Sequence, residues 1–220
     1  IGRLGVRAGV GYAIEFAGST VAALDMPGRL TLCNMSVEAG ARSALVAPDE
    51  ITFSWLKGRP MAPAGGLWTA ALDYWRTLSS DPGAVFDREV HFDAKDLRPQ
   101  VTWGTSPEQV ISIDALVPAP QDQSDPDAAE RCRRALSYMG LTPGTSLTDV
   151  RIDRVFIGSC TNARLADLRS AADVARGRHL APGVHGMVVP GSGLIKQAAE
   201  AEGLDRVFID AGFEWRDAGC

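Results

Sequence analysis

From residue 154 onward, short apolar runs alternate with stretches of helical spacing, and this alternation leaves few folds open. Residues 154–158 (RVFIG) read as a strand, 163–176 as a helix, 186–189 (GMVV) as a second strand and 194–202 as a second helix. Gly203 closes that helix, and 206–210 (RVFID) read as a third strand. Strands alternating with helices through short loops predict a parallel sheet with right-handed crossovers, and hence an α/β chain. Loops that follow parallel strands open on one edge of the sheet, where ligands of open α/β folds sit. The loops 159–162, 190–193 and 211–220 are therefore expected to lie on a common edge.

The first of these loops, Ser159-Cys160-Thr161-Asn162, carries a cysteine at a strand exit. A helix amino terminus there offers N–H groups to an anion, so the thiolate is stabilised and can serve as metal ligand or nucleophile. Free cysteine is equally among the most buried residue types, which favours plain packing for an isolated one. Cys220 occupies a second loop of the same kind, and the pair points to chemistry. The other two cysteines read as structural: Cys132 lies on the apolar stripe Ala128, Cys132, Ala135, Leu136, Met139, and Cys33 on an expected core strand. Four scattered cysteines in a chain of 220 residues suit reduced or metal-bound thiols in the cytoplasm better than a disulfide framework.

The earlier part of the chain is less regular. Residues 1–18 are glycine-rich, but Gly9-Val10-Gly11 lacks the third glycine of a dinucleotide-binding turn. Ser19 begins a short helix to Leu24, Pro27-Gly28 makes a turn, and 29–33 (RLTLC) has strand character. A helix starting near Asn34 would place Asn34 and Glu38, four residues apart, on one face at its amino end. That pair could present an amide and a carboxylate to a ligand, although helix capping alone accounts for both residue types. A helix is expected over 48–57, opened by Pro48-Asp49-Glu50, and another over 67–78, whose stripe of Leu67, Tyr74, Trp75 and Leu78 reads as core. Residues 89–92 resemble a strand, with His91 lacking a second histidine at ligand spacing. A polar loop at 104–107 could line a pocket, 118–127 has the composition of a linker or surface loop, and Asp127 is expected to cap the next helix.

Composition excludes two classes. A net charge of −5 without any Lys/Arg block argues against nucleic-acid binding. No apolar run is long enough for a membrane span, and the first residues carry no signal-peptide pattern.

Five segments together carry a resemblance: LTLCNMSVEAGAR, PQVTWGTSP, VFIGSCTNARLADLR, MVVPGSGLIKQAAEAEGL and FIDAGFEWRDAGC. They resemble the aconitase superfamily, and within it the large subunits of 3-isopropylmalate dehydratases. The resemblance implies three-layer α/β/α domains with mainly parallel sheets, divided here into 1–97, carrying Asn34 and Glu38, and 98–220, carrying the cysteines. It implies a hydro-lyase that moves the hydroxyl between 2- and 3-isopropylmalate through an alkene in leucine biosynthesis. Homoaconitase-like and citraconate-hydrating enzymes share the same motifs. A 4Fe–4S cluster held by three cysteines is implied, one matched by Cys160 and one by Cys220, the first of a G-C-x-x-C pair whose second member falls beyond residue 220. Three thiolates leave one iron open to water or a substrate oxygen. By the same resemblance Asn34 lies near the cluster, Glu38 near the hydroxyl or water, and Asn162 orients the cysteine loop; a separate small subunit closes the site. With two of the three ligands, the chain by itself is expected to bind a cluster poorly and to be inactive. Two other classes remain open: a thiol nucleophile at Cys160 paired with His91, His179 or His185, and a non-enzymatic interaction module.

Overall fold

The computed structural model describes residues 1–159 and 161–219 and divides the chain into two compact units, Ile1–Val150 and Arg151–Cys220. The first opens with a β–α–β arrangement. Strand β1 (Ala13–Phe16) runs into helices α1 (Ser19–Ala23) and α2 (Met26–Met35), and β2 (Ser43–Val46) returns parallel to β1, with Ala13 opposite Ser43 and Phe16 opposite Val46. Gly40, at a φ of 85°, lets the chain pass close to the glycine-rich start, since a Cβ there would meet Val10 Cγ2 at 2.6 Å.

Helix α2 replaces both the expected turn at Pro27-Gly28 and the expected strand over 29–33. Capping outweighs the β propensity of Leu-Thr-Leu-Cys. The Asp25 carboxylate accepts the Gly28 N–H at 2.9 Å, and Pro27 sits in the first turn, where a missing N–H costs nothing. The helix also buries Arg29, whose guanidinium grips Asp49 through two 2.7 Å hydrogen bonds and donates to the carbonyls of Ala22 and Leu24. Asn34 therefore lies in the last turn of a helix rather than at its amino end.

The helix expected over 48–57 is α3 (Glu50–Leu56), capped by Asp49, and α4 (Gly66–Trp75) follows. Of the expected core stripe on α4, Leu67 and Tyr74 are exposed, while Trp75 stacks on Phe53 and meets Trp68 edge-on. Residues 89–92 form no strand: among the described residues no strand runs alongside them, and their side chains are exposed. Strands β3 (Gln100–Thr102) and β4 (Val110–Ser112) form an antiparallel ladder. In the loop between them Gln109 Oε1 accepts the N–H groups of Thr105 and Ser106. Helix α5 (Pro126–Met139) is capped by Asp125 rather than Asp127 and ends at Gly140. The stretch 118–127 before it behaves as a surface loop, exposed at 121, 122 and 124–127 and buried only at Ala119, while Val117 just ahead of it joins Trp103, Cys132, Ala135 and Leu136 in one core. The expected division at 97/98 groups residues 98–150 with the cysteine loops. By contact those residues belong to the first unit, with the Val6 N–H, for example, donating to Glu108 Oε2.

The second unit follows the predicted alternation closely. Strand β5 (Arg154–Gly158), helix α6 (Leu165–Ala175), strand β6 (His185–Val189) and helix α7 (Gly193–Ala201) fall where the periodicity puts them. The expected strand over 206–210 is instead helix α8 (Leu204–Asp210), and the third strand is β7 (Phe213–Trp215). Leu204 and Phe208, four apart, are both buried, which is the spacing of a helix face. In β7 Phe213 and Trp215 pack on the core while Glu214 is exposed, the alternation of a strand. Phe208, fully buried, stacks on Trp215 and meets Phe213 edge-on among Leu168, Ala172, Val188 and Ala199. The sheet order is β5-β6-β7 with all pairs parallel, so the chain is α/β with mostly parallel small sheets. Among the described residues no helix is long and apolar enough to cross a membrane.

Candidate functional site at the carboxyl edge of the sheet in the second unit

The parallel register fixes a common edge. Gly158 lies opposite Val189 and Val188 opposite Trp215, so all three strands end along one side of the sheet. The segments 159–162, 190–192 and 216–219 leave from that side. Strands β5 and β7 flank β6, so their ends lie two strand spacings apart, roughly 10 Å. Cys160 follows β5 by two residues and Cys220 follows β7 by five, lengths of chain that can span such a gap. Both cysteines lie outside the described residues.

The loop around position 160 is organised by a residue that sequence reasoning passed over. Ser159 Oγ accepts the N–H of Thr161 at 3.2 Å and of Asn162 at 2.7 Å, so one hydroxyl holds the backbone beyond the cysteine position. The Ser-x-Thr-Asn pattern was the available signal for such a turn. These two N–H groups are thus committed to Ser159, ahead of the helix whose amino terminus was expected to face an anion. The Arg164 N–H likewise goes to Asp167 Oδ2 at 3.0 Å at the start of α6. Beyond the loop, Ala163 is buried, and its carbonyl accepts the Gly191 N–H at 3.0 Å, tying the first loop to the second. Gly191 suits that approach, because a Cβ would crowd the same carbonyl oxygen at 3.0 Å. Ser192 caps α7 through Ile195 N–H.

Ser159→Ala removes the acceptor for two N–H groups at a partly exposed site, a loss of about 1 kcal/mol in local stability. Deuterium uptake at the Thr161 and Asn162 amides is expected to rise about fivefold, with the first unit unchanged. Uptake equal to wild type at those amides would show that the hydroxyl does not hold the loop.

The remaining candidates fall out as follows. Asn162 is exposed on the loop of the second unit. Asn34 and Glu38 belong to the first unit, both exposed, with Asn34 ending α2 and Glu38 in the turns over 36–40 rather than on a shared helix face. Neither caps a helix start, since Asp25 and Asp49 take those positions. Cys132 is buried in the core of the first unit and Cys33 half-buried on α2; burial pushes both thiols up, away from the thiolate a metal requires. His91, His179 and His185 are exposed. Among the described residues no group of three His, Cys, Asp or Glu side chains could hold a metal ion. Thiolate donors suit iron–sulfur chemistry, and the two cysteines expected to supply them, Cys160 and Cys220, lie outside the described residues.

Sequence reasoning also missed a polar cluster beside β7, where Lys196 and Glu200 on α7 meet Trp215 and Asp217. Its signal was the i, i+4 spacing of Lys196 and Glu200. A family model described as the Aconitase family (aconitate hydratase) matches residues 1–220, the whole of the sequence. Matched over residues 1–220, the chain belongs to the aconitase family, whose chemistry is that of hydro-lyases.

Proposed function

We propose that the chain is part of the large subunit of a 3-isopropylmalate dehydratase, acting with a small subunit to interconvert 2- and 3-isopropylmalate by loss and return of water. The observation that carries this reading is the register that ends β5 and β7 on one edge, with S-C-T-N following one strand and R-D-A-G-C the other. Cys160 and Cys220 would hold two corners of a 4Fe–4S cluster, in keeping with family members that carry one. When bound, such a cluster supplies an iron with an open position, a Lewis acid toward a hydroxyl and a carboxylate.

The chain's own residues have separate tasks. Ser159 fixes the loop backbone on which Cys160 sits, through the N–H groups of Thr161 and Asn162. Asn34 carries an amide able both to donate and to accept, suited to a polar oxygen of a substrate. Glu38, an exposed carboxylate, can take or return a proton at the departing or entering water.

Side-chain specificity is the test. With the complete enzyme, a panel of substituted malates is expected to show turnover of 2- and 3-isopropylmalate well above that of homocitrate-type substrates and of citraconate hydration. Preference for either of the latter would move the chain to another branch of the family.

A further inference from the structure

We propose that Lys196 and Glu200 on α7 are positioning residues that clamp the segment leading into Cys220, and so fix where that thiolate is delivered. The inference rests on the reading of Cys220 as a ligand.

The geometry runs outward from the core of the second unit. Phe208, fully buried, stacks on Trp215, the last residue of β7. The Trp215 indole N–H donates to Glu200 Oε1 at 2.9 Å, and the same oxygen lies 3.2 Å from Lys196 Nζ. Lys196 in turn reaches across to Asp217 Oδ1 at 2.9 Å, two residues past the strand. The Arg216 N–H meanwhile donates to the Val188 carbonyl, extending the β6–β7 ladder by one bond. Segment 216–219 is therefore held from two sides, by the sheet at Arg216 and by α7 at Asp217. The ionised forms are the ones held: the Asp217 and Glu200 carboxylates keep Lys196 above the usual ammonium range, and the Trp215 indole with Lys196 keeps Glu200 below the usual carboxylate range.

Magnitude decides what the cluster is for. Lys196 is a quarter exposed and Asp217 almost fully so, and ion pairs of that kind add little to global stability. A contribution too small to matter for folding is still enough to change how often four residues of backbone lift off. That is the quantity a ligand-bearing segment must control, because the thiol has to be present at one place when the metal arrives.

Lys196→Met in this chain is expected to fold as wild type by circular dichroism. Deuterium uptake over 216–219 should rise about fivefold, and so should the rate of alkylation of Cys220 by iodoacetamide, with Cys160 alkylated at the wild-type rate. Cadmium titration, read through the cadmium–thiolate ultraviolet band, should show weaker binding than wild type. Lys196→Arg restores all three. Asp217→Asn, at an exposed position that does not threaten the fold, should move them in the same direction by a smaller factor. If wild type gives the cadmium band and Lys196→Met matches it in uptake, alkylation and titration, the clamp is overturned while the ligand reading stands. A wild-type chain that gives no thiolate band with cadmium overturns the ligand reading and the inference with it.

Discussion

Cys160→Ser is expected to abolish iron uptake while leaving the fold intact. Anaerobic reconstitution with ferrous iron, sulfide and an excess of dithiol as supplementary ligand should load the wild-type chain weakly and the variant not at all, read as cluster absorbance and bound iron. The argument is one of tethering. If Cys160 and Cys220 are ligands as proposed, two thiolates would act on the same metal group with the second at an effective concentration set by the chain between them, on the order of millimolar. Removing either one returns binding to a single-site interaction and costs about 10²–10⁴ in affinity. Serine fills the same volume on a loop whose backbone is held by Ser159 and by the Ala163–Gly191 bond, so loss of structure is not the expected cause. Cys132→Ser is the control. Cys132 packs in the core of the first unit, and its replacement should cost stability there without touching metal uptake. Equal loading of wild type and Cys160→Ser would remove Cys160 from the ligand set.

How much of this was legible beforehand depends on whether local signals agreed with one another. In the second unit they did: β5 matches its expected bounds, and β6, α6 and α7 lie within a residue or two of theirs, because strand-like runs, glycine stops and helical spacing all pointed the same way. Of the two differences there, the strand expected where α8 lies came from an apolar triplet, Val207-Phe208-Ile209, too short to show its period. The true third strand, Phe-Glu-Trp, is three residues long and sat unnoticed in a loop. In the first unit the signals conflicted. The run RLTLC favours a strand by composition, yet Asp25, three residues before Gly28, supplies a helix cap, and the buried Arg29 gains a carboxylate partner in the helical arrangement. That partner, Asp49, is twenty residues away in sequence, and no local pattern announces it. At the candidate site the cysteines and Asn162 were legible as motifs, whereas Ser159, Gly191 and Lys196 gain meaning only from which N–H, carbonyl or carboxylate lies opposite them.

Asp49 also carries the largest expected effect on stability, because it does two jobs. Its carboxylate accepts both hydrogen bonds from the Arg29 guanidinium, at 2.7 Å each, and its Oδ1 accepts the Ile51 and Thr52 N–H groups that begin α3. Asp49→Ala removes the helix cap, worth about 1 kcal/mol. It also leaves a cation with 3% exposure opposite no carboxylate. A fully buried broken pair costs about 3–5 kcal/mol; the Asp49 side chain is 41% exposed, which puts this one toward the low end. The sum is about 3–4 kcal/mol in the first unit, measurable as a shift of its urea midpoint. Asp49→Asn keeps an acceptor for the cap and one for Arg29 but loses the charge, and should cost about 2 kcal/mol. The Arg29 hydrogen bonds, with the cap N–H groups, hold the Asp49 carboxyl below its ordinary range against the opposing effect of burial. A depressed pKa in the folded state contributes stability that is present above the unfolded value, about 3.9, and is lost as pH falls through the folded one. The gap between wild type and Asp49→Asn should therefore be widest near neutrality and close progressively below about pH 4. A loss near 1 kcal/mol in Asp49→Ala, the cap alone, would mean that Arg29 finds other partners when the carboxylate is gone.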